Sequence, residues 1–283
     1  MSTAGFAGVC VLSLESRRSR EIAQLIENNG GRAVVVPSTR EVLSSSNGSE
    51  LRFASLLLQD QFAVVIFMTG VGTRALAQAV EPVCSHLQFV AALHRTKVVA
   101  RGPKPVAVLR EFGVPITLTV PEPNTWREIL EILDQNSEEV PVQSRRVAVQ
   151  EHGAPSPELY AGLSARGANV FPVHVYDWQL PENLGPLREA VAALTENQID
   201  VILFTSSVQV HHLLRIAEET KQRDNLVRAF DRVLVASIGP VTSETLREYG
   251  IAVDLEPSHP KMGLLVKEAA DQSAALLRRK KAG

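Results

Sequence analysis

The sequence predicts an α/β protein built from two doubly wound, parallel-sheet domains, and two observations carry that prediction. Short apolar runs rich in β-branched residues alternate with segments of helical periodicity, the pattern of βαβ units whose strands are buried on both faces. The chain also falls on itself when shifted by 137 positions. Val64–Phe67 then lands on Val201–Phe204, Leu76 on Leu213, and Gly102-Pro103 on Gly239-Pro240. Leu109, Arg110, Glu111, Phe112 and Gly113 land on Leu246, Arg247, Glu248, Tyr249 and Gly250. The same shift takes Glu21 to Glu158, Gly30 to Gly167, Val36 to Val173 and Pro123 to Pro260. One register running without a gap from residue 21 to residue 260 marks a duplicated unit, too few copies for a solenoid, so two facing domains are expected.

In chain order, residues 9–14 read as a strand, and Ile22, Leu25 and Ile26 give the next helix one apolar face before the Asn29-Gly30-Gly31 stop. Residues 33–36 form a second strand. Residues 39–60 read as a connection whose Ser-rich patch, Ser44-Ser45-Ser46-Asn47-Gly48-Ser49, is a solvated loop before a helix. Val64–Phe67 is a strand ending in Met68-Thr69-Gly70-Val71-Gly72-Thr73, with a helix through Ala79. Cys84 falls in a loop. Lys97–Ala100 is a strand ending in Arg101-Gly102-Pro103-Lys104, with a helix to Phe112-Gly113. A strand at 116–120 and a helix from Thr125 through Leu133 close the first copy.

The second copy brings a strand at Arg146–Gln150, a helix at 157–166 and a strand at 170–175. A polar crossing with Pro181, Gly185 and Pro186 follows Tyr176-Asp177-Trp178. Val201–Phe204 then runs into Thr205-Ser206-Ser207 and a helix, and residues 233–236 run into Ser237-Ile238-Gly239-Pro240 and a helix capped at Thr242 that stops at Gly250. The basic tail from Arg278 reads as solvated.

Composition narrows the function. A hydrophobic fraction of 45% and a charged fraction of 21% are ordinary for a soluble globular protein. A formal net charge of −2 argues against a nucleic-acid or anionic-membrane partner, both of which need a basic face. No run approaches a membrane span and the N-terminus lacks a signal pattern, so a cytoplasmic protein is expected. Cys10 and Cys84 form neither a disulfide framework nor a metal spacing. His211-His212 lacks the i,i+4 partner that a zinc site uses, and no metal is expected. Gly70-Val71-Gly72 lacks the third glycine of a dinucleotide fingerprint, no P-loop is present, and no nucleophile elbow surrounds Ser206 or Ser207.

What remains is the carboxyl edge of each sheet. Hydroxyls, glycines and helix starts recur at four strand ends, two per copy, where open α/β sheets bind ligands and free helix N–H groups hold anions. Candidate anion-binding residues are therefore Thr69, Gly70, Gly102, Ser206, Ser207, Gly239, Val241 through its backbone, and Thr242. Helix capping is the plainer role for the hydroxyls. Arg101, Lys104 and Arg17 are placed to add cationic contacts to carboxylates. In the second copy the positions of Arg101 and Lys104 read as Ser237 and Val241, so the two edges differ.

The strand ending in Phe204-Thr205-Ser206-Ser207, the segment Ile238-Gly239-Pro240-Val241-Thr242-Ser243-Glu244-Thr245-Leu246 with Gly250 beyond it, and Ala100-Arg101-Gly102-Pro103-Lys104 together resemble uroporphyrinogen-III synthase, as does the order of elements over nearly the whole chain. Val241 departs from the family's usual second Thr after Gly-Pro. The resemblance implies two flavodoxin-like or Rossmann-like domains joined by a two-stranded hinge, with the first βαβ of each copy exchanged. Residues 1–38 and 177–283 would form one domain and 41–174 the other, their anion-binding edges facing across a cleft. It further implies the substrate hydroxymethylbilane, a linear tetrapyrrole polycarboxylate cyclised with loss of water, no cofactor, a monomeric enzyme, and Tyr176 as the residue assisting departure of the hydroxyl. A non-catalytic sensor of tetrapyrroles or other polycarboxylates is the alternative; it would tolerate loss of Tyr176.

Overall fold

The computed structural model describes residues 5–43, 48–153 and 155–282. The chain runs β1 (Cys10–Ser13), α1 (Ser19–Asn28), β2 (Arg32–Val35), β3 (Arg40–Leu43), α2 (Ser49–Leu58), β4 (Val64–Phe67), α3 (Gly70–Ala79), α4 (His86–Leu93), β5 (Lys97–Ala100), α5 (Pro103–Glu111), β6 (Leu118–Thr119) and α6 (Trp126–Gln135). It continues β7 (Arg146–Gln150), α7 (Pro157–Ala165), β8 (Asn169–Val173), β9 (Tyr176–Gln179), α8 (Gly185–Thr195), β10 (Val201–Phe204), α9 (Ser207–Glu219), α10 (Arg223–Ala229), β11 (Leu234–Ser237), α11 (Pro240–Glu248) and α12 (Met262–Ala282).

Two compact units result, one from Met1–Arg40 with Gln179–Gly283, the other from Glu41–Trp178. The first holds a parallel sheet in the order β11-β10-β1-β2, with Leu255 bridging Ala236 at its edge. The second holds a parallel sheet in the order β6-β5-β4-β7-β8. Strands β3 and β9 pair as a separate two-stranded link.

The duplication is visible element by element. Adding 137 to the bounds of β4, β5 and α5 reproduces those of β10, β11 and α11, and the other paired helices and strands start within one residue of the same shift. The two sheets also share one order, and in each the outer βαβ comes from the other copy: β1 and β2 join β10, whereas β7 and β8 join β4. The ungapped register needs one correction. Val201 pairs with Val11 while its equivalent Val64 pairs with Val147, so β1 and β7 are related by 136 positions.

Alternation along the central strands assigns each side chain to a layer. In the first unit Ile202 and Phe204 pack with Leu187, Val191, Leu213 and Phe230, while Val201 and Leu203 pack with Ile22, Ile26, Leu265 and Ala269 on the opposite face. In the second, Val65 and Phe67 meet Phe53, Leu76, Phe89 and Leu109, and Val64 and Ile66 meet Ile129, Leu133, Leu159 and Leu163. Each such side chain contributes about 1.5–3 kcal/mol, so both sheets are anchored at the strands whose carboxyl ends carry the candidate residues.

Several expectations are corrected. The connection 39–60 contains strand β3, and the Ser44–Asn47 part of its Ser-rich patch lies outside the described residues. Helix α8 begins within the stretch read as a crossing, and helices α4 and α10 occupy stretches for which no element was expected. Helix α4 starts at a capping box in which Ser85 and Gln88 bond reciprocally. Pro186, read as part of the crossing, lies in the first turn of α8, where its missing N–H would have no partner within the helix. Helix α11 starts at Pro240, so Thr242 lies inside its first turn rather than capping it. The basic tail is the last turn of α12, where Arg278, Arg279 and Lys281 are exposed as expected but Lys280 is not. Lys280 Nζ donates to the Phe230 and Val233 carbonyls at 2.7 and 2.8 Å and pairs with Asp254 at 2.7 Å.

Candidate functional site

In the second unit the ends of β4 and β5 lie side by side, Arg101 N extending the ladder to Phe67 O at 2.9 Å. Thr69 caps α3: its Oγ1 accepts from Gly72 N at 3.0 Å, and its own N–H donates to Gln150 Oε1 at 3.3 Å. The Thr69 Oγ1 also lies 3.3 Å from the Tyr176 hydroxyl. Gly70 opens α3, and Lys104 lies in the exposed first turn of α5. Gly102 adopts φ +82°, and a Cβ there would meet the Asn124 amide at 2.6 Å, so both its conformation and its surroundings require glycine.

Arg101 is the unusual group. It is half-buried as a residue, yet its Nε is fully covered and has no hydrogen-bond partner. Burial pulls its pKa below the ordinary arginine value, against the opposing influence of Tyr176. A desolvated donor without an acceptor is costly unless a ligand supplies one, and a carboxylate matches the guanidinium fork. Tyr176 itself is 1% exposed and packs edge-on against Trp178, with ring centroids 5.6 Å apart. Its hydroxyl is thus engaged with Thr69 rather than presented at an open surface.

In the first unit Ser206 stands at the N-cap of α9 with extended backbone, but its side chain makes no capping bond. Ser207 opens the helix. Thr205 does the local work, its N–H donating to Gln209 Oε1 at 2.7 Å and its Oγ1 donating to Glu15 at 2.6 Å. Glu15 also accepts from the Arg17 and Arg18 backbone N–H groups, at 3.1 and 3.2 Å, and the Arg17 side chain is exposed. Gly239 caps α11 with extended backbone; Val241 is 40% exposed and Thr242 is buried. Here the register requires a further correction: Ile238, not Ser237, corresponds to Arg101. The cation of one edge is therefore replaced by an aliphatic residue at the other, and Lys104 by Val241.

The structure thus gathers Thr69, Gly70, Arg101, Gly102, Lys104 and Tyr176 at one sheet edge, and Ser206, Ser207, Gly239, Val241 and Thr242 at the other, with Arg17 beside the latter through Glu15. Sequence reasoning missed Gln150 and Glu15, whose side chains bond neighbouring loops, Gln209, which closes the turn before its own helix, and Asn124, which lies against Gly102. The change from Gly72 to Gln209 across the repeat was the available signal. Among the described residues no group of three or more His, Cys, Asp or Glu is placed to hold a metal ion, and no helix is long and apolar enough to cross a membrane.

Fold and edges define a class: an internally duplicated, two-unit α/β protein with helix starts at its strand ends and one desolvated guanidinium beside them. The family described as Uroporphyrinogen-III synthase HemD matches residues 20–267. A Methanothermobacter thermautotrophicus (strain Delta H) protein named "Putative uroporphyrinogen-III synthase" is 32% identical over 83% of this chain and 87% of its own length. The "Uncharacterized protein YjjA" of Bacillus subtilis (strain 168) is 28% identical over 94% of this chain and 96% of its own. Among solved structures, a mutant uroporphyrinogen III synthase from the extremely thermophilic bacterium Thermus thermophilus superposes with a TM-score of 0.70 at 24% identity, covering 96% of this chain and all of that one. The Helicobacter pylori 26695 enzyme superposes at 0.52 with 13% identity, covering 92% and 98%; both likenesses concern the fold. The chain belongs to the uroporphyrinogen-III synthase family.

Proposed function

We propose that this protein is a uroporphyrinogen-III synthase, converting hydroxymethylbilane to uroporphyrinogen III with loss of water and inversion of ring D. The observation that carries the reading is the covered, unpartnered Nε of Arg101 beside Tyr176 and the start of α3. That environment suits a carboxylate, and the bilane carries acetate and propionate groups along its length. In the reaction the terminal C–O bond breaks and hydroxide leaves as water with one proton. The azafulvene-like cation is then attacked by the last pyrrole, and a spiro intermediate reopens with that ring inverted. The proton lost from carbon at ring closure balances the one consumed. The pyrroles supply the reactivity, so the main task of the binding loops is orientation.

The Tyr176 hydroxyl is assigned to donate a hydrogen bond to the departing hydroxyl, exchanging Thr69 for substrate on binding. Freshly prepared hydroxymethylbilane should give isomer III in excess over the spontaneously formed isomer I. Y176F, folded normally, should lose turnover; full turnover would remove Tyr176 from this role. Isomer I alone, from folded protein that still binds the bilane, would leave a non-catalytic binder.

A further inference from the structure

We propose that His174 is a positioning residue for Tyr176, a protonated imidazole held between Glu151 and Asp177 that locks residues 174–178 against the turn 151–153. Its Nδ1 lies 2.6 Å from Glu151 Oε2 and its Nε2 lies 2.8 Å from Asp177 Oδ1. A neutral imidazole has one N–H and can serve only one of these acceptors; the imidazolium serves both. Burial works against that charge, but the hydrogen bonds to Glu151 and then Asp177 outweigh it and hold the pKa above the ordinary histidine value.

Glu151 is 5% exposed and also accepts from the Tyr160 hydroxyl on α7. Deprotonation of His174 would leave one of the two carboxylates facing a ring nitrogen lone pair. From α2, Ser49 brackets the His174 backbone, its Oγ accepting from His174 N and lying 3.3 Å from the His174 carbonyl, and also contacts Glu50. Among the described residues, Glu151, Asp177, Tyr160, Glu50 and neighbouring His152 are titratable groups near the imidazole.

The clamp bears on Tyr176 because two short segments are fastened at three successive points. Glu151 bonds His174, the His152 carbonyl accepts from Trp178 Nε1 at 2.7 Å, and Gly153 lies beneath both aromatic rings. Gly153 has φ +86°, and a Cβ there would fall on the Trp178 and Tyr176 rings. Loss of the imidazolium breaks one of its two bonds, which opens the link from Glu151 through His174 to Asp177 and lets the aromatic pair shift from the Thr69 contact. The catalytic half of this inference rests on the synthase reading above.

The test uses the full chain carrying W126F, which leaves Trp178 as its one tryptophan. Trp178 emission, titrated without substrate from pH 5.5 to 9, should show a transition with a midpoint above the ordinary histidine value. D177N, altered at a partly exposed partner, should move that midpoint down, and H174Q should abolish the transition. In the isomer assay, kcat should fall as pH rises through the same midpoint and follow it in D177N. H174Q should lower kcat about 10- to 100-fold with KM held within about twofold. A transition that persists in H174Q, a midpoint unmoved by D177N, or a kcat profile indifferent to both overturns the proposal. Absence of isomer III from the wild type, with the fluorescence behaviour intact, defeats the synthase reading and the catalytic role while leaving the clamp itself established.

Discussion

Gln150 occupies the space that any side chain at residue 72 would need. A Cβ built on Gly72 falls on the Gln150 amide, whose Oε1 takes the Thr69 N–H at 3.3 Å. In the other copy the position of Gly72 carries Gln209, which takes the Thr205 N–H at 2.7 Å, and the strand position of Gln150 is Leu14. A glutamine amide closes the loop after the strand in both copies, but it comes from the following helix in one and from the adjacent strand in the other.

This exchange gives the first prediction. Gly to Ala inside a helix ordinarily stabilises by about 1 kcal/mol. G72A should instead destabilise, by about 1–3 kcal/mol from overpacking, whereas G72Q/Q150L, which copies the other edge, should recover most of the loss. Urea unfolding of the three variants decides it; G72A at or above wild-type stability would refute the steric account.

Arg101 gives the second. A covered Nε–H without an acceptor is a burden on the free protein, so R101M should leave the urea midpoint unchanged or raise it. The same change should weaken binding of a linear tetrapyrrole carboxylate at least about tenfold, as expected for loss of a charge-assisted pair. Lower stability together with undiminished binding would place Arg101 in the scaffold rather than the site.

The third concerns pH. His212 is 8% exposed and its Nδ1–H donates to the Ser38 carbonyl at 2.7 Å. Burial holds its pKa below the ordinary value despite that carbonyl. The folded state keeps the ring neutral where the unfolded chain takes up a proton, so its contribution is present above the unfolded pKa, about 6.5, and is lost as pH falls towards the folded value. The stability difference between wild type and H212Q should therefore narrow on acidification from pH 8 to pH 5. A difference that stays constant across this range would contradict it.

The fourth concerns the end of α12. Lys280 Nζ meets the Phe230 and Val233 carbonyls and Asp254, whose Oδ2 also accepts from Val235 N at 2.7 Å. K280M strands two carbonyls and leaves the carboxylate without its cation, and should cost about 2–4 kcal/mol. In a double-mutant cycle with D254N, part of that cost should appear as coupling between the two positions; strict additivity would show that the pair contributes nothing.

Strands β4 and β10 were legible to the residue because both faces of each are buried, which makes the apolar run as long as the strand. Strand β3 was not: Arg40–Leu43 mixes charge with aliphatic residues, and its partner β9 lies more than a hundred residues away. Helix α8 was masked by Gly185-Pro186, a pair that signals a turn equally well. Thr69, Arg101 and Gly102 were visible because strand ends and helix starts are written in contiguous residues. Gln150, Asn124 and the Glu151–His174–Asp177 cluster were not, since their meaning arises from side chains reaching between separate segments.

The exchange of β1 and β2 into the sheet of β10 has a consequence for how the chain is made. As the protein leaves the ribosome, β1 and β2 emerge before the strand they join, and their sheet is completed only once Val201–Phe204 has been synthesised. The inserted unit, Glu41–Trp178, meanwhile has every strand of its own sheet and can complete itself first. A chain carrying a single copy of the repeat would satisfy the same pairings only by lending its opening βαβ to a twin and receiving the twin's in return, so the fused duplication is equivalent to a strand-swapped homodimer whose two partners have become one polypeptide.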